Sequence, residues 1–93
     1  MLEVLLFSVE NCGSCSLNEK RIKDVLKDFP DMQFKHLSIE KDKELVKKYQ
    51  ILTVPTIVIV NDGETMYKIP GIIERDRFKR ELEFLKYKAL GVI

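Results

Sequence analysis

Two cysteines, Cys12 and Cys15, are the whole cysteine content of the 93-residue chain, and they stand together in a Cys-Gly-Ser-Cys unit. A disulfide stabilises mainly by closing a long loop of the unfolded chain, so a bridge across so short a loop removes little entropy. Small secreted domains that depend on disulfides carry more of them. The pair is a poor staple but well spaced for reversible redox chemistry. One thiolate can attack a disulfide to form a mixed disulfide. A thiol one helical turn away can then attack that bond and release the reduced partner.

His36 is the lone histidine. One reading makes it a solvated or hydrogen-bonded strand residue. The other sets it beneath the cysteine pair, where an imidazole could take the proton of Cys15 as that thiol becomes the attacker. A metal centre is a weaker use of the cysteines. Zinc takes about four ligands, and two cysteines with one distant histidine supply them only if two chains share the ion. No cofactor is expected, since the chain has no Gly-x-Gly-x-x-Gly to cradle a nicotinamide or flavin nucleotide. Electrons for a redox cycle must then come from a separate reductase or a small thiol.

The flanking pattern says how such a pair would be held. Leu2 to Val9 is an almost unbroken apolar run, the pattern of a strand buried on both faces. Glu10-Asn11-Cys12-Gly13 interrupts it. From Ser14 to Phe29 the residues Cys15, Ile22, Val25, Leu26 and Phe29 recur at helical spacing, until Pro30 stops the helix. Cys12 falls where the strand meets the first turn, and unpaired N–H groups with the positive end of the helix dipole favour its thiolate there. Cys15 faces inward. Gly13 is expected to give the tight turn beside the nucleophile.

Met32 to Ile39 alternates as a strand, with Phe34, His36 and Ser38 on one face. Asp42 is placed to cap a short helix through Tyr49, with Leu45, Val46 and Tyr49 turned inward. Thr56 to Val60 and Thr65 to Ile69 are two further strands about a hairpin at Asn61-Asp62-Gly63-Glu64. Gly71 leads into a last helix from Glu74 to Leu90, with a core stripe of Phe78, Leu82, Leu85 and Ala89. Phe84, Tyr87 and Leu90 form a second apolar ridge which, with Val92 and Ile93, either covers one end of the sheet or meets a partner. The order β-α-β-α-β-β-α makes the first two strands parallel and the last two antiparallel. That is an α/β fold with a mixed four-stranded sheet flanked by helices.

Size and charge narrow the class further. Ninety-three residues suit one domain, 1–93. Sixteen Lys and Arg against fifteen Asp and Glu leave a net charge of +1, so the charge balance gives neither nucleic acid nor an anionic membrane a hold. No apolar run approaches the roughly 20 residues of a membrane span. Met1-Leu2-Glu3-Val4 lacks the basic and small-residue pattern of a secretory leader. The expectation is a cytoplasmic protein, a monomer rather than a dimer.

Cys12-Gly13-Ser14-Cys15 after a first strand, with Thr53-Val54-Pro55-Thr56 ahead of the third, resembles the thioredoxin superfamily, which includes thioredoxins and glutaredoxins. The resemblance continues through the hairpin at Asp62-Gly63 and through Gly71. It implies a thioredoxin-like fold, Cys12 and Cys15 as the catalytic pair, and a cis peptide bond before Pro55, facing the cysteines. It also implies substrate binding along Val54, Pro55 and Gly71, with an extended chain bonded to the backbone of Val54. The architecture is closer to glutaredoxins, because the extra N-terminal strand and helix of full-length thioredoxins have no counterpart in this sequence. Asn11 stands where thioredoxins usually have Trp, and Ser14 where they have Pro. Their buried acid aligns with Leu6, and the lysine that accompanies it with His36. The basic residue of glutaredoxins before the first Cys is replaced by Ser8-Val9-Glu10-Asn11, and their glycine pair by the single Gly71. No strong glutathione site is expected.

The function expected is reduction of protein disulfides by a thiol–disulfide oxidoreductase, with disulfide-containing proteins as its targets. Two alternatives stand beside it. One is a non-catalytic thioredoxin-like binding or redox-sensing module that docks an extended segment. The other is a dimeric, metal-binding glutaredoxin-like protein.

Overall fold

The structure, a computed structural model, describes residues 1–91. Its elements follow the expected order: β1 (Leu2–Ser8), α1 (Gly13–Leu26), β2 (Gln33–Ser38), α2 (Lys43–Lys48), β3 (Thr56–Asn61), β4 (Glu64–Pro70) and α3 (Arg75–Ala89). The strands form one mixed sheet in the order β2-β1-β3-β4. β1 runs parallel to β2 and antiparallel to β3, and β3 runs antiparallel to β4. The two nearly continuous apolar runs are thus the two internal strands, covered on both faces. β2 and β4 are the more polar edges. Among the described residues no helix is long and apolar enough to cross a membrane.

Alternation along β1 divides its side chains between two cores. Leu2, Val4 and Leu6 pack with Ile22 and Val25 of α1, Phe78 and Leu82 of α3, and Ile57 and Ile59 of β3. Leu5 and Phe7 point the other way, to Leu37, Tyr49, Val58 and Val60. Each fully buried aliphatic side chain contributes about 1.5–3 kcal/mol, so β1 and β3 anchor the helices on either face. By the same alternation Ser8 continues the file of Leu2, Val4 and Leu6. It lies at the end of β1 from which α1 departs.

Local geometry departs from the sequence expectation at several points. α1 ends at Leu26 rather than Phe29, because the residue before Pro30 is pushed out of the helical region. Lys27, Asp28 and Phe29 continue as tighter turns, each N–H bonded to the carbonyl three residues back, and Phe29 still reaches the core. Asp42 precedes α2 but does not cap it with its side chain. Its carboxylate turns back and accepts the Ser38 N–H at 2.9 Å. Ala89 is exposed, so the buried stripe of α3 stops at Leu85. Beyond that point the helix borders an open cleft lined by Met1, Phe29 and Met32 and by the sheet's end at Leu2 and Asn61. Phe84, Tyr87 and Leu90 are all exposed, while Val92 and Ile93 of the same ridge lie outside the described residues. At the hairpin, Asp62 and Gly63 both take positive φ, 52° and 87°, as a two-residue turn between twisted strands requires.

Candidate functional site

The turn after β1 places the cysteines. Asn11 takes φ 59°, a left-handed conformation that Asn tolerates better than most residues, and swings the chain from the sheet into α1. The expectation that Gly13 makes this turn is corrected. Gly13 is the first residue of α1, has no positive φ, and a Cβ there would meet nothing within 4 Å. Cys12 is the N-cap of α1, and its Sγ occupies the place usually taken by a Ser, Thr, Asp or Asn oxygen. The Cys15 backbone N–H donates to that sulfur at 3.1 Å, and Ser14 Oγ lies 3.5 Å from it. No acidic residue stands in the first turn to offset the positive end of the helix. Cys12 and Cys15 are joined in a disulfide, with Cα atoms 5.2 Å apart. The two residues differ in exposure: Cys12 is half-buried, whereas Cys15 is only 3% exposed.

The Val54–Pro55 peptide bond is cis. Pro55 is buried, and its carbonyl accepts the Gly71 N–H at 2.8 Å. The Gly71 carbonyl in turn accepts from Asn18 Nδ2 at 2.9 Å, and the Ile73 N–H donates to Asn18 Oδ1 at 3.0 Å. Asn18 is completely buried, one turn beyond Cys15 on α1. Its amide therefore ties the cysteine helix to the β4–α3 connection, and through Gly71 to Pro55. Arg21 adds a hydrogen bond to the Ile73 carbonyl. Asn18 was not among the residues expected at the site. Its place in the inward stripe of Cys15, Ile22 and Val25 was the available sign, since a buried amide must find partners. Both backbone groups of Gly71 are engaged within the fold. Among the described residues no backbone hydrogen bond engages Val54, which is half-buried.

An open cleft of about 420 Å³ lies beside the cysteines, lined by both of them and by Ser8, Asn11, Ser16 and His36. His36 is hydrogen-bonded through both ring nitrogens. Its Nε2 is 2.5 Å from Ser8 Oγ, and its Nδ1 is 2.7 Å from Glu19 Oε2 on α1. The histidine is thus a partly solvated, hydrogen-bonded strand residue, and it also faces the cysteine cleft. Neither Ser8 nor Glu19 was expected there. Among the described residues no group of three or more His, Cys, Asp or Glu side chains is arranged to hold a metal ion.

The Thioredoxin family model matches residues 2–83, nearly the whole chain. The chain belongs to the thioredoxin family. Among curated relatives, Thioredoxin H2-1 of Oryza sativa subsp. japonica is 26% identical over 85 residues, covering 91% of this chain and 61% of the relative. The thioredoxin of Mycoplasmoides gallisepticum is 26% identical over 80 residues, 86% of this chain and 80% of that protein. The crystal structure of mitochondrial thioredoxin 3 from Saccharomyces cerevisiae superposes with a TM-score of 0.77 at 21% identity, over 88% of this chain and 76% of that one. The chain spans less than two thirds of the length of the plant H2 thioredoxins it matches. Within the thioredoxin fold its own departures are now placed. Leu6, aligned with the family's buried acid, is fully buried among apolar side chains and pairs in register with His36. Asn11, at the usual Trp position, supplies the left-handed turn.

Proposed function

We propose that this thioredoxin-family chain is a thiol–disulfide oxidoreductase that reduces protein disulfides. The observation that carries the reading is the asymmetry of the pair: a half-buried Cys12 whose sulfur caps a helix, and a buried Cys15 bonded to it. In the reduced protein the Cys12 thiolate is held by the N–H and dipole of α1 and attacks one sulfur of a target disulfide. The target S–S bond breaks, and the leaving sulfur departs with the electron pair and takes up a proton. Cys15, as thiolate, then attacks Cys12 Sγ, the Cys12–target bond breaks, and the target leaves as a dithiol. The protein is left with its own disulfide. An external dithiol reductase or small thiol restores it. The extended target segment docks on the free backbone of Val54 beside Pro55, while Gly71 holds Pro55 in place.

The use of just two cysteines, both in the redox pair, suits a reducing compartment, and we assign the protein to the cytoplasm as a monomer. Insulin reduction driven by dithiothreitol tests the main reading. The unaltered protein is expected to accelerate precipitation of the insulin B chain, and Cys12→Ser to return it to the dithiothreitol rate alone. Equal rates for the two proteins would favour a binding or sensing module instead.

A further inference from the structure

We propose that Glu19, His36 and Ser8 form a proton relay that deprotonates Cys15 during release of the mixed disulfide, in the place where the apolar Leu6 offers no acid. The proposal rests on the thiol-exchange reading above and concerns its second step. The contacts run from Glu19 Oε2 to His36 Nδ1 at 2.7 Å and from His36 Nε2 to Ser8 Oγ at 2.5 Å, and the step from Ser8 to Cys15 is the one proposed. Ser8 is nearly buried and lines the same cleft as Cys15.

The hydrogen-bond inventory fits both protonation states of the ring. A carboxylate can only accept, so Nδ1 carries the proton donated to Glu19. In the neutral imidazole Nε2 is then the acceptor, and the Ser8 hydroxyl donates to it. That leaves the Ser8 oxygen with lone pairs for the thiol proton of Cys15. When Ser8 takes that proton and passes its own to Nε2, the imidazolium donates from both nitrogens, to Glu19 and back to Ser8. The Ser8 hydroxyl then has a second acceptor, the Leu37 carbonyl at 3.4 Å. No polar atom is stranded in either state. Cys15 becomes a thiolate and displaces the target from Cys12. The proton returns from the ring to the departing target thiolate through Ser8 or solvent.

The surroundings of the ring favour this cycle. From α1 it faces the Glu19 carboxylate, to which Lys23 Nζ also pairs at 3.8 Å. The two cysteines at the start of α1 line the same cleft, and from β1 the Ser8 hydroxyl bonds the ring. The neighbouring β1–β2 ion pair, Lys35 with Glu3 at 3.4 Å, engages its own charges. The Phe34 ring lies tilted beside the imidazole, centroids 6.5 Å apart. Glu19 and His36 act through Ser8 and are positioning and relay residues.

The test follows the reaction of the reduced full chain with dithiobis(nitrobenzoate). One thionitrobenzoate leaves when Cys12 attacks; the second leaves when Cys15 resolves the adduct. Ser8→Ala and His36→Gln are expected to leave the first phase within twofold and to slow the second about a hundredfold at neutral pH, the lower reach of general-base assistance. Glu19→Gln should slow the second phase less. In alkali, where solvent base forms the thiolate, all variants should converge on the unaltered rate. A second phase unchanged at neutral pH, equal slowing of both phases, or slowing that persists in alkali would overturn the relay. A protein that attacks but never releases the second thionitrobenzoate would overturn the exchange reading itself, and the relay with it.

Discussion

Asn18 shows how much one side chain contributes to the site without touching a reacting atom. Its amide satisfies a backbone carbonyl and a backbone N–H on a segment far along the chain, at Gly71 and Ile73. Asn18→Ala would leave both groups without a partner in a buried setting. The expected loss is about 2–6 kcal/mol, since each of the two stranded groups costs about 1–3 kcal/mol. Urea denaturation of the reduced and oxidised forms measures it. The residue also marks a limit of sequence reading. Cys12 and Cys15 were legible because their spacing carries its own chemistry, whereas Asn18, Ser8 and Glu19 gain their roles from partners 17 to 55 residues away. For Ser8 the sign in the sequence was the period-two file of Leu2, Val4, Leu6 and Ser8, which ends in a hydroxyl.

At the scale of elements, the two turns that aim the site depend on left-handed residues of different kinds. Gly71 sits at φ 81° with open space around its missing Cβ, so Gly71→Ala meets backbone strain alone. The expected cost is about 1–2 kcal/mol, with slower insulin reduction because the bond to the Pro55 carbonyl shifts; thermal melting and the turbidity assay read the two effects. Gly13 is the opposite case. It lies in ordinary helical conformation with open space, and Gly13→Ala is expected to stabilise by about 0.4–1 kcal/mol through a less disordered unfolded chain. A destabilised Gly13→Ala protein would contradict the placement of the turn at Asn11. The sequence pattern identified the strands and helices because apolar runs, helical spacing and the hairpin residues mark which segments the core and turns require. It misplaced the turn and the end of α1 because those depend on φ at single residues. It missed the Asp42 geometry for a similar reason, since a carboxylate there can serve either the helix start or the end of β2.

Across the whole molecule, α1 and α3 share one face of the sheet, and a polar clasp joins them at the surface: Arg75 Nε bonds Asp24 Oδ2 at 2.5 Å, and Arg75 also reaches Asp76. The hydrogen bond from the Arg75 guanidinium, reinforced by its charge, holds the Asp24 carboxyl below the ordinary carboxylate value of 3.8. A carboxyl more acidic folded than unfolded stabilises fully above its unfolded value and loses that contribution as pH falls through the folded one. Asp24→Asn is therefore expected to be less stable than the unaltered protein at neutral pH, by a small margin because the pair is exposed. The two melting curves should converge in strong acid. A gap that stays constant with pH would place the effect in packing instead. The same face carries the start of α1, so the clasp secures the helix whose first turn holds the sulfurs. The most direct measurement of the account is therefore the alkylation of the reduced protein by a limiting amount of iodoacetamide at neutral pH, with the label mapped by peptide mass. Label on Cys12 well ahead of Cys15 is the predicted result. Equal labelling of the two, or faster labelling of Cys15, would contradict it.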